Sequence, residues 1–323
     1  MSAPAVDWDL AARLAPTLVR PGPPSTLVER ALLVESLRSA AATALPHAAR
    51  VTGLEPPEAP QTLVVDRGTW ARANVRALHR VTPAERSRRG AGTGIELAGA
   101  LALLSGSVLG QVEPWGADRP RLLLVAPNVL ATERGLDVPP DDFRLWVALH
   151  EQAHVLQFAA APWLAGHLAD RVAALWAQQP RVSPAALARA ARARSLSPLD
   201  LLHPEQRAEV DRIGAVMSLL EGHADVAMDA VGTAVIPSVR LLRRRFGRRR
   251  AAGARATGLR RVVRTVLGVD VKMAQYAQGA AFVRTVRRRV GRDGLNAIWS
   301  APDQLPSPAE IADPAAWVRR VHG

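Results

Sequence analysis

Two histidines bracket a glutamate in the run His150-Glu151-Gln152-Ala153-His154. On a helix, residues four apart share a face, so both imidazoles can address one Zn²⁺. The glutamate between them can take a proton from an attacking water. This H-E-x-x-H pattern arises by chance about once in a hundred sequences of such composition, so it needs support from elsewhere in the chain. A catalytic zinc has three protein ligands and one open position. The third candidate is Glu221, in Ser218-Leu219-Leu220-Glu221-Gly222-His223-Ala224-Asp225. On a helix Glu221 shares its face with Gly214, Met217, Asp225 and Met228, and an acid on so apolar a surface is costly to bury unless it is paired or bound to metal. Asp225, one turn later, is placed to accept a hydrogen bond from the outer nitrogen of a zinc-bound histidine and so to fix its ring.

Other residues have weaker claims. His223 lies about 200° from Glu221 around a regular helix, so it cannot share the ion unless Gly222 distorts the turn. It reads as a surface or cleft histidine, or as a group that stabilises an oxyanion. The chain has one lysine, Lys272, and one tyrosine, Tyr276, set one turn apart with Gln275 beside them. Tyr276 can stabilise an oxyanion, and Lys272 can orient a substrate anion or a ligand carboxylate. Each assignment has an ordinary alternative. The histidine pair can be satisfied without metal, Glu221 and Asp225 can pair with arginines, and Lys272 and Tyr276 can be residual composition. His47, His79, His167, His203 and His322 have no metal-ligand spacing and read as structural or solvated.

These residues must be held by helices. Pro139-Pro140-Asp141-Asp142 marks a helix start, with acids at the positive end. On the helix that follows, His150 and His154 share a face with Phe143, Trp146, Val147 and Gln157, which turns them inward. A long helix runs from about 205 to 230 and a further one over roughly 268–290. Residues 1–50 read as amphipathic helices broken at Pro21-Gly22-Pro23-Pro24, the second capped by Ser25 or Thr26. Residues 51–60 form a Pro-rich connection. Thr62–Val65 reads as a short strand, 70–79 as helix and 83–94 as a polar, Gly-rich loop. Gly90 to Gly94 has neither the spacing, the preceding strand nor the lysine of a phosphate loop, so it reads as a flexible entry to a helix at 95–109. Arg121–Ala126, bounded by prolines, reads as a strand. Residues 178–205 read as loop, and a last helix lies near 315–321.

Composition narrows the chemistry. With no cysteine among 323 residues, thiol catalysis, disulfides and cysteine-held zinc or iron–sulfur clusters are excluded, so any zinc is held by His and carboxylate. The N-terminus lacks the basic and apolar regions of a signal peptide, and the longest apolar run, 97–109, is too short to cross a bilayer. A cytoplasmic protein without membrane contact is expected. The net charge is +13, carried by 41 arginines and the single lysine. Eleven arginines fall in 240–264. That charge reads as the codon bias of a GC-rich genome and a solvated surface, with nucleic-acid or anionic-surface binding through this segment as the rival. No DNA-binding motif and no aromatic interleaving beyond Phe246 accompany it, so no specific nucleic acid is expected.

The chain resembles a family of zincin-like metallohydrolases of high-GC bacteria associated with deazaflavin-coenzyme biosynthesis, a phylogenetic label that names no substrate. The resemblance runs nearly end to end. It is carried by Val6 to Ala12, Arg20-Pro21-Gly22-Pro23, Val65-Asp66-Arg67 with Trp70, Val108-Leu109-Gly110-Gln111 and Leu124 to Asn128. Further on it is carried by Phe143 into His150-Glu151, Gln157-Phe158, Leu220 to Asp225, Lys272 with Gln275-Tyr276 and Gly279, Gly294-Leu295-Asn296 with Trp299, and Asp313 to Val318. His150, Glu151, His154, Glu221 and Asp225 also match, position for position, the H-E-x-x-H plus E-x-x-x-D pattern of glutamate-type zincins. That likeness implies that the Arg121–Ala126 strand is the sheet edge flanking the substrate cleft. The 67 positions from His154 to Glu221 exceed the spacing of the best-known members. In this family the region near 240–264 is typically basic and variable, which implies a loop.

The sequence therefore predicts a mainly α protein with a small β component, an α+β zincin-like fold. It predicts one unit over 1–323, comprising a mostly helical part at 1–115, a metal-site core at 116–232 and a C-terminal helical part at 233–323. The expected function is zinc-dependent hydrolysis of a peptide or amide substrate. Zn²⁺ is held by His150, His154 and Glu221, Glu151 is the base, and Tyr276 or His223 sits at the oxyanion. The alternatives are a catalytically silent, zinc-stabilised scaffold or regulatory protein and, behind it, the anionic-surface binder.

Overall fold

The computed structural model describes residues 5–82, 90–115, 120–177, 203–254 and 269–323, and the side chains of all of these except 176–177, 250–254 and 269–277. Helices dominate. They are α1 (Trp8–Leu18), α2 (Leu27–Thr52), α3 (Arg67–Val81), α4 (Ala91–Leu104), α5 (Ala126–Leu136), α6 (Pro140–Ala160) and α7 (Leu164–Ala177). They continue with α8 (Pro204–Ala230), α9 (Val239–Ala254), α10 (Val269–Asn296), α11 (Pro308–Ala312) and α12 (Pro314–His322). Three short strands, β1 (Gln61–Val65), β2 (Gly110–Glu113) and β3 (Arg121–Val125), make one sheet in the order β1-β3-β2. The pairing of β1 with β3 is parallel and that of β2 with β3 antiparallel, with Gly110 opposite Leu124. No helix is long and apolar enough to cross a membrane among the described residues.

The chain divides into two compact units, Met1–Ala169 with Ala227–Arg245, and Asp170–Val226 with Phe246–Gly323. In the first, α2 is set by a full capping box. Thr26 Oγ1 accepts from Glu29 N–H, and Glu29 accepts from Thr26 N–H, while Gly53 closes the other end at a φ of 69°. α6 starts at Pro140, with Asp141 and Asp142 in its first turn, and buries Phe143, Trp146, Leu149 and Leu156. Each such side chain contributes about 1.5–3 kcal/mol on leaving water. Gln152 of the motif is 1% exposed and donates to the Ala41 carbonyl of α2 at 2.8 Å, while Arg144 grips the buried Glu133 of α5 through two hydrogen bonds. In the second unit, Phe282, Val283 and Val286 of α10 are buried, as are Ile298, Trp299 and Trp317. Trp317 meets Phe282 edge-on and donates its indole N–H to Gln304 O.

Several expectations change. Ala91–Gly94 is the first turn of α4 rather than loop, because the N-terminal stretch packs against it: Asp7 N–H donates to Gly90 O, and a Cβ at Gly90 or Gly94 would strike the backbone of Ala5 or Asp7. The helix read as 95–109 stops at Leu104. Ser105 and Ser107 fold their hydroxyls back onto Ala102 O and Leu104 O, and the chain turns into β2, a strand the sequence did not reveal. The Arg121–Val125 strand is central, not the edge, because it pairs on both sides. The basic stretch is helical through Ala254, where a loop was expected. Arg243 clamps Asp229 and lies over the Trp146 ring, and Arg245 bonds Leu136 O and Asp137. Of the loop expected at 178–205, residues 178–202 lie outside the described residues, as do the arginines from 255 to 264, and Pro204 and Glu205 already belong to α8.

Candidate metal centre

Four residues on one helix do most of the positioning. His150 and His154 project from the same face of α6, and their Nε2 atoms lie 3.2 Å apart with the rings nearly perpendicular. Two Zn–N bonds of about 2.0–2.1 Å at a tetrahedral angle put the nitrogens about 3.3 Å apart. The pair therefore has the spacing of two ligands to one ion. His154 Nδ1 is 2.8 Å from Gln157 Oε1. An amide oxygen only accepts, so Nδ1 carries the proton and Nε2 offers its lone pair. The sequence assigned Asp225 this orienting role toward one of the histidines; at His154 the hydrogen bond seen is to Gln157. The signal was present in the spacing, since Gln157 is three residues on along the same face.

His150, His154 and Glu221 form a group able to hold a metal ion: each offers one ligand atom, and these atoms lie within 4.8 Å of one another. All three are half-buried. The donor set of two imidazoles and one carboxylate suits zinc. No other such group occurs among the described residues.

Glu151 is 6% exposed and faces β2. A Cβ added at Gly110 would lie 2.6 Å from the Cγ and Cδ of Glu151, so only glycine leaves room for the carboxylate there. β2 is itself fixed. Gln111 accepts from the Trp70 indole at 2.7 Å and exchanges amide hydrogen bonds with Asn74 of α3. The buried Glu113 pairs with Arg80. The edge strand beside the motif helix is thus β2, and Gly110 is the site residue that sequence reasoning passed over.

In the second unit α8 and α10 meet backbone to backbone. A Cβ at Gly222 would fall 2.2 Å from the Gly279 carbonyl carbon, and one at Gly279 would fall 1.8 Å from Ser218 O. Gly222 keeps a negative φ, so it admits a close neighbour and does not distort the turn that carries Glu221. His223 is buried rather than superficial, at 4% exposure, and lies edge-on to Trp299 with ring centroids 5.3 Å apart. Asp225 is 8% exposed. Lys272 and Tyr276 fall on α10, with side chains outside the described set. Three of the remaining histidines are packing residues: His79 stacks on Trp8, and His167 and His322 meet Trp163 and Trp317.

Residues 6–318 match the model of a family described as zincin-like metallopeptidase. A solved structure from Chloroflexus aurantiacus, described as a candidate hydrolase with a novel fold, is similar over 98% of both chains at 30% identity, with a TM-score of 0.70. No curated protein matches the sequence.

Proposed function

Since the chain belongs to the zincin-like metallopeptidase family, we propose that it is a zinc-dependent hydrolase of peptide or amide bonds, with His150, His154 and Glu221 holding the ion. The observation that carries this reading is the 3.2 Å Nε2–Nε2 spacing in a group with a third, carboxylate donor. Zinc bound there supplies Lewis acidity and brings the pKa of a water to about 7. Glu151, buried against Gly110, accepts the proton of the attacking water and returns it to the leaving amine. Gln157 holds His154 in the tautomer that presents Nε2, and we assign Asp225 the same task toward His150. An extended substrate backbone can pair with β2, which has no second strand neighbour among the described residues.

For the oxyanion we keep Tyr276 and His223. Tyr276 lies three residues before Gly279, on the helix that touches Gly222 next to Glu221. His223 is buried two residues beyond Glu221. Lys272, one turn before Tyr276, is assigned to orienting a carboxylate. In this reading the whole of 1–323 works as one catalytic chain.

The test is a peptide library offered to the wild type and to Glu151→Gln. Chelator-sensitive cleavage by the wild type, lost in Glu151→Gln while its metal content is kept, is the expected result. Retained cleavage in the variant would remove Glu151 from the mechanism. Absence of any cleavage by metal-loaded protein would favour the silent scaffold.

A further inference from the structure

The metal chemistry leaves three sequence segments unused: Arg20-Pro21-Gly22-Pro23, Val65-Asp66-Arg67 and Ala126-Pro127. In the first unit all three line a single open pocket of about 830 Å³. Four arginines, Arg20, Arg30, Arg67 and Arg72, line it against one acid, Asp66. Asp66 is already engaged, accepting from Thr69 N–H as the cap of α3. Among the described residues none of the four arginines is paired with an acid, whereas Arg80, Arg134, Arg144, Arg171, Arg243 and Arg320 each are.

The pocket is built rather than incidental. Arg67 is half-buried, donates from Nε to Asn128 Oδ1 at 2.6 Å and from Nη1 to the carbonyls of Arg20 and Pro21, and has no acceptor at Nη2 among the described residues. Burial first, and then the charge of Arg20, lowers its pKa from the ordinary value, as expected where cations gather without an acid. The Pro-rich strap sits directly on α5, since a Cβ at Gly22 would lie 2.8 Å from Pro127 Cβ. α5 has neither a capping side chain nor an acid in its first turn, so its positive end adds to the field. The remaining wall is aliphatic, with Val19, Leu33, Val64 and Leu130 and no aromatic ring.

We propose that this pocket binds a small ligand in which a phosphate group is joined to an aliphatic moiety. Several arginines around one space, with Arg20 and Arg72 exposed, suit the charge and three acceptor oxygens of a phosphate better than a single carboxylate. The absence of an aromatic ring argues for an aliphatic partner rather than a stacked base. The site uses no residue of the metal centre, so it stands or falls independently of the hydrolase reading.

The experiment is calorimetric titration of the full, metal-loaded chain with hexyl phosphate and with inorganic phosphate, alongside phosphatidylcholine vesicles with and without phosphatidic acid. Hexyl phosphate is expected to bind saturably, about tenfold more tightly than inorganic phosphate. Because Arg67 braces the strap, the informative variants are the exposed Arg20→Ser and Arg72→Ser. Each is expected to weaken binding about tenfold, while His150→Ala leaves it unchanged. Additional capture by the phosphatidic acid vesicles would make the phosphate that of a lipid headgroup, and its absence would make the ligand a free one. The proposal is overturned if hexyl phosphate does not saturate, if only vesicles bind, or if His150→Ala abolishes binding while the arginine variants retain it.

Discussion

The two helices that carry the candidate ligands are held by opposite means. α6 is anchored by what its side chains reach. Gln152 bonds the backbone of α2, Arg144 grips Glu133, and Asp142 accepts from Ser238 N–H at 2.8 Å. α8 is anchored by a missing side chain, at the place where Gly222 lets the backbone of Gly279 approach. The difference teaches where each helix is vulnerable. Loss of one hydrogen bond on α6 leaves packing to hold the helix, whereas one added carbon on α8 meets backbone that cannot move aside.

The largest expected effect follows directly. Gly222→Ala forces apart two backbones and should destabilise the protein by about 3 kcal/mol, read from the midpoint and slope of denaturant unfolding. A loss within a few tenths of a kcal/mol would mean the two helices are not held by this contact. Gly110→Ala meets the flexible end of Glu151 instead, so the contrast is sharp. Its stability should stay near wild type and its metal content unchanged, while cleavage of the peptide library falls about a hundredfold because the carboxylate is displaced. Wild-type turnover would show that β2 does not confine Glu151.

Gln157→Leu tests whether α6 orients its own ligand. Zinc affinity, measured by competition with a chelator, should drop about 10- to 100-fold with little change in helix content. An unchanged affinity would return the orienting role to another group. The smallest effect concerns the C-terminal helices. Burial alone would raise the Glu310 pKa, but hydrogen bonds from Arg320 and Ser307 outweigh it and hold the carboxyl below its ordinary value. A depressed folded-state pKa contributes stability that is present at neutral pH and is lost as pH falls through it. Melting temperature against pH should therefore fall less steeply below the ordinary glutamate range in Glu310→Gln than in the wild type.

What the sequence disclosed follows the same division. The grouping of His150, His154 and Glu221 was legible because helical spacing puts the two histidines on one face and leaves Glu221 an acid among apolar neighbours on its own helix. The Thr26 cap and the helix start at Pro140 were legible because both signals are local. Gly110 was hidden because β2 has only four residues, one of them aliphatic, and follows an apolar run that reads as helix. The place of β3 in the middle of the sheet depends on which strands find it, and that is a tertiary fact. Gly222 looked like a possible distortion of its turn. A glycine that admits a neighbour cannot be told from one that bends the chain until the neighbour is known. Gln157 was placed on the correct face, but its bond to His154 could not be ranked against Asp225 from spacing alone.

The central claim is that one zinc ion is shared by α6 and α8. It is tested most directly by metal analysis of the purified full chain after zinc-supplemented refolding, with His150→Ala and Glu221→Ala prepared in parallel. The account predicts one zinc per chain in the wild type and a marked loss in both variants. A wild type without zinc, or a Glu221→Ala protein that binds zinc as the wild type does, would contradict it.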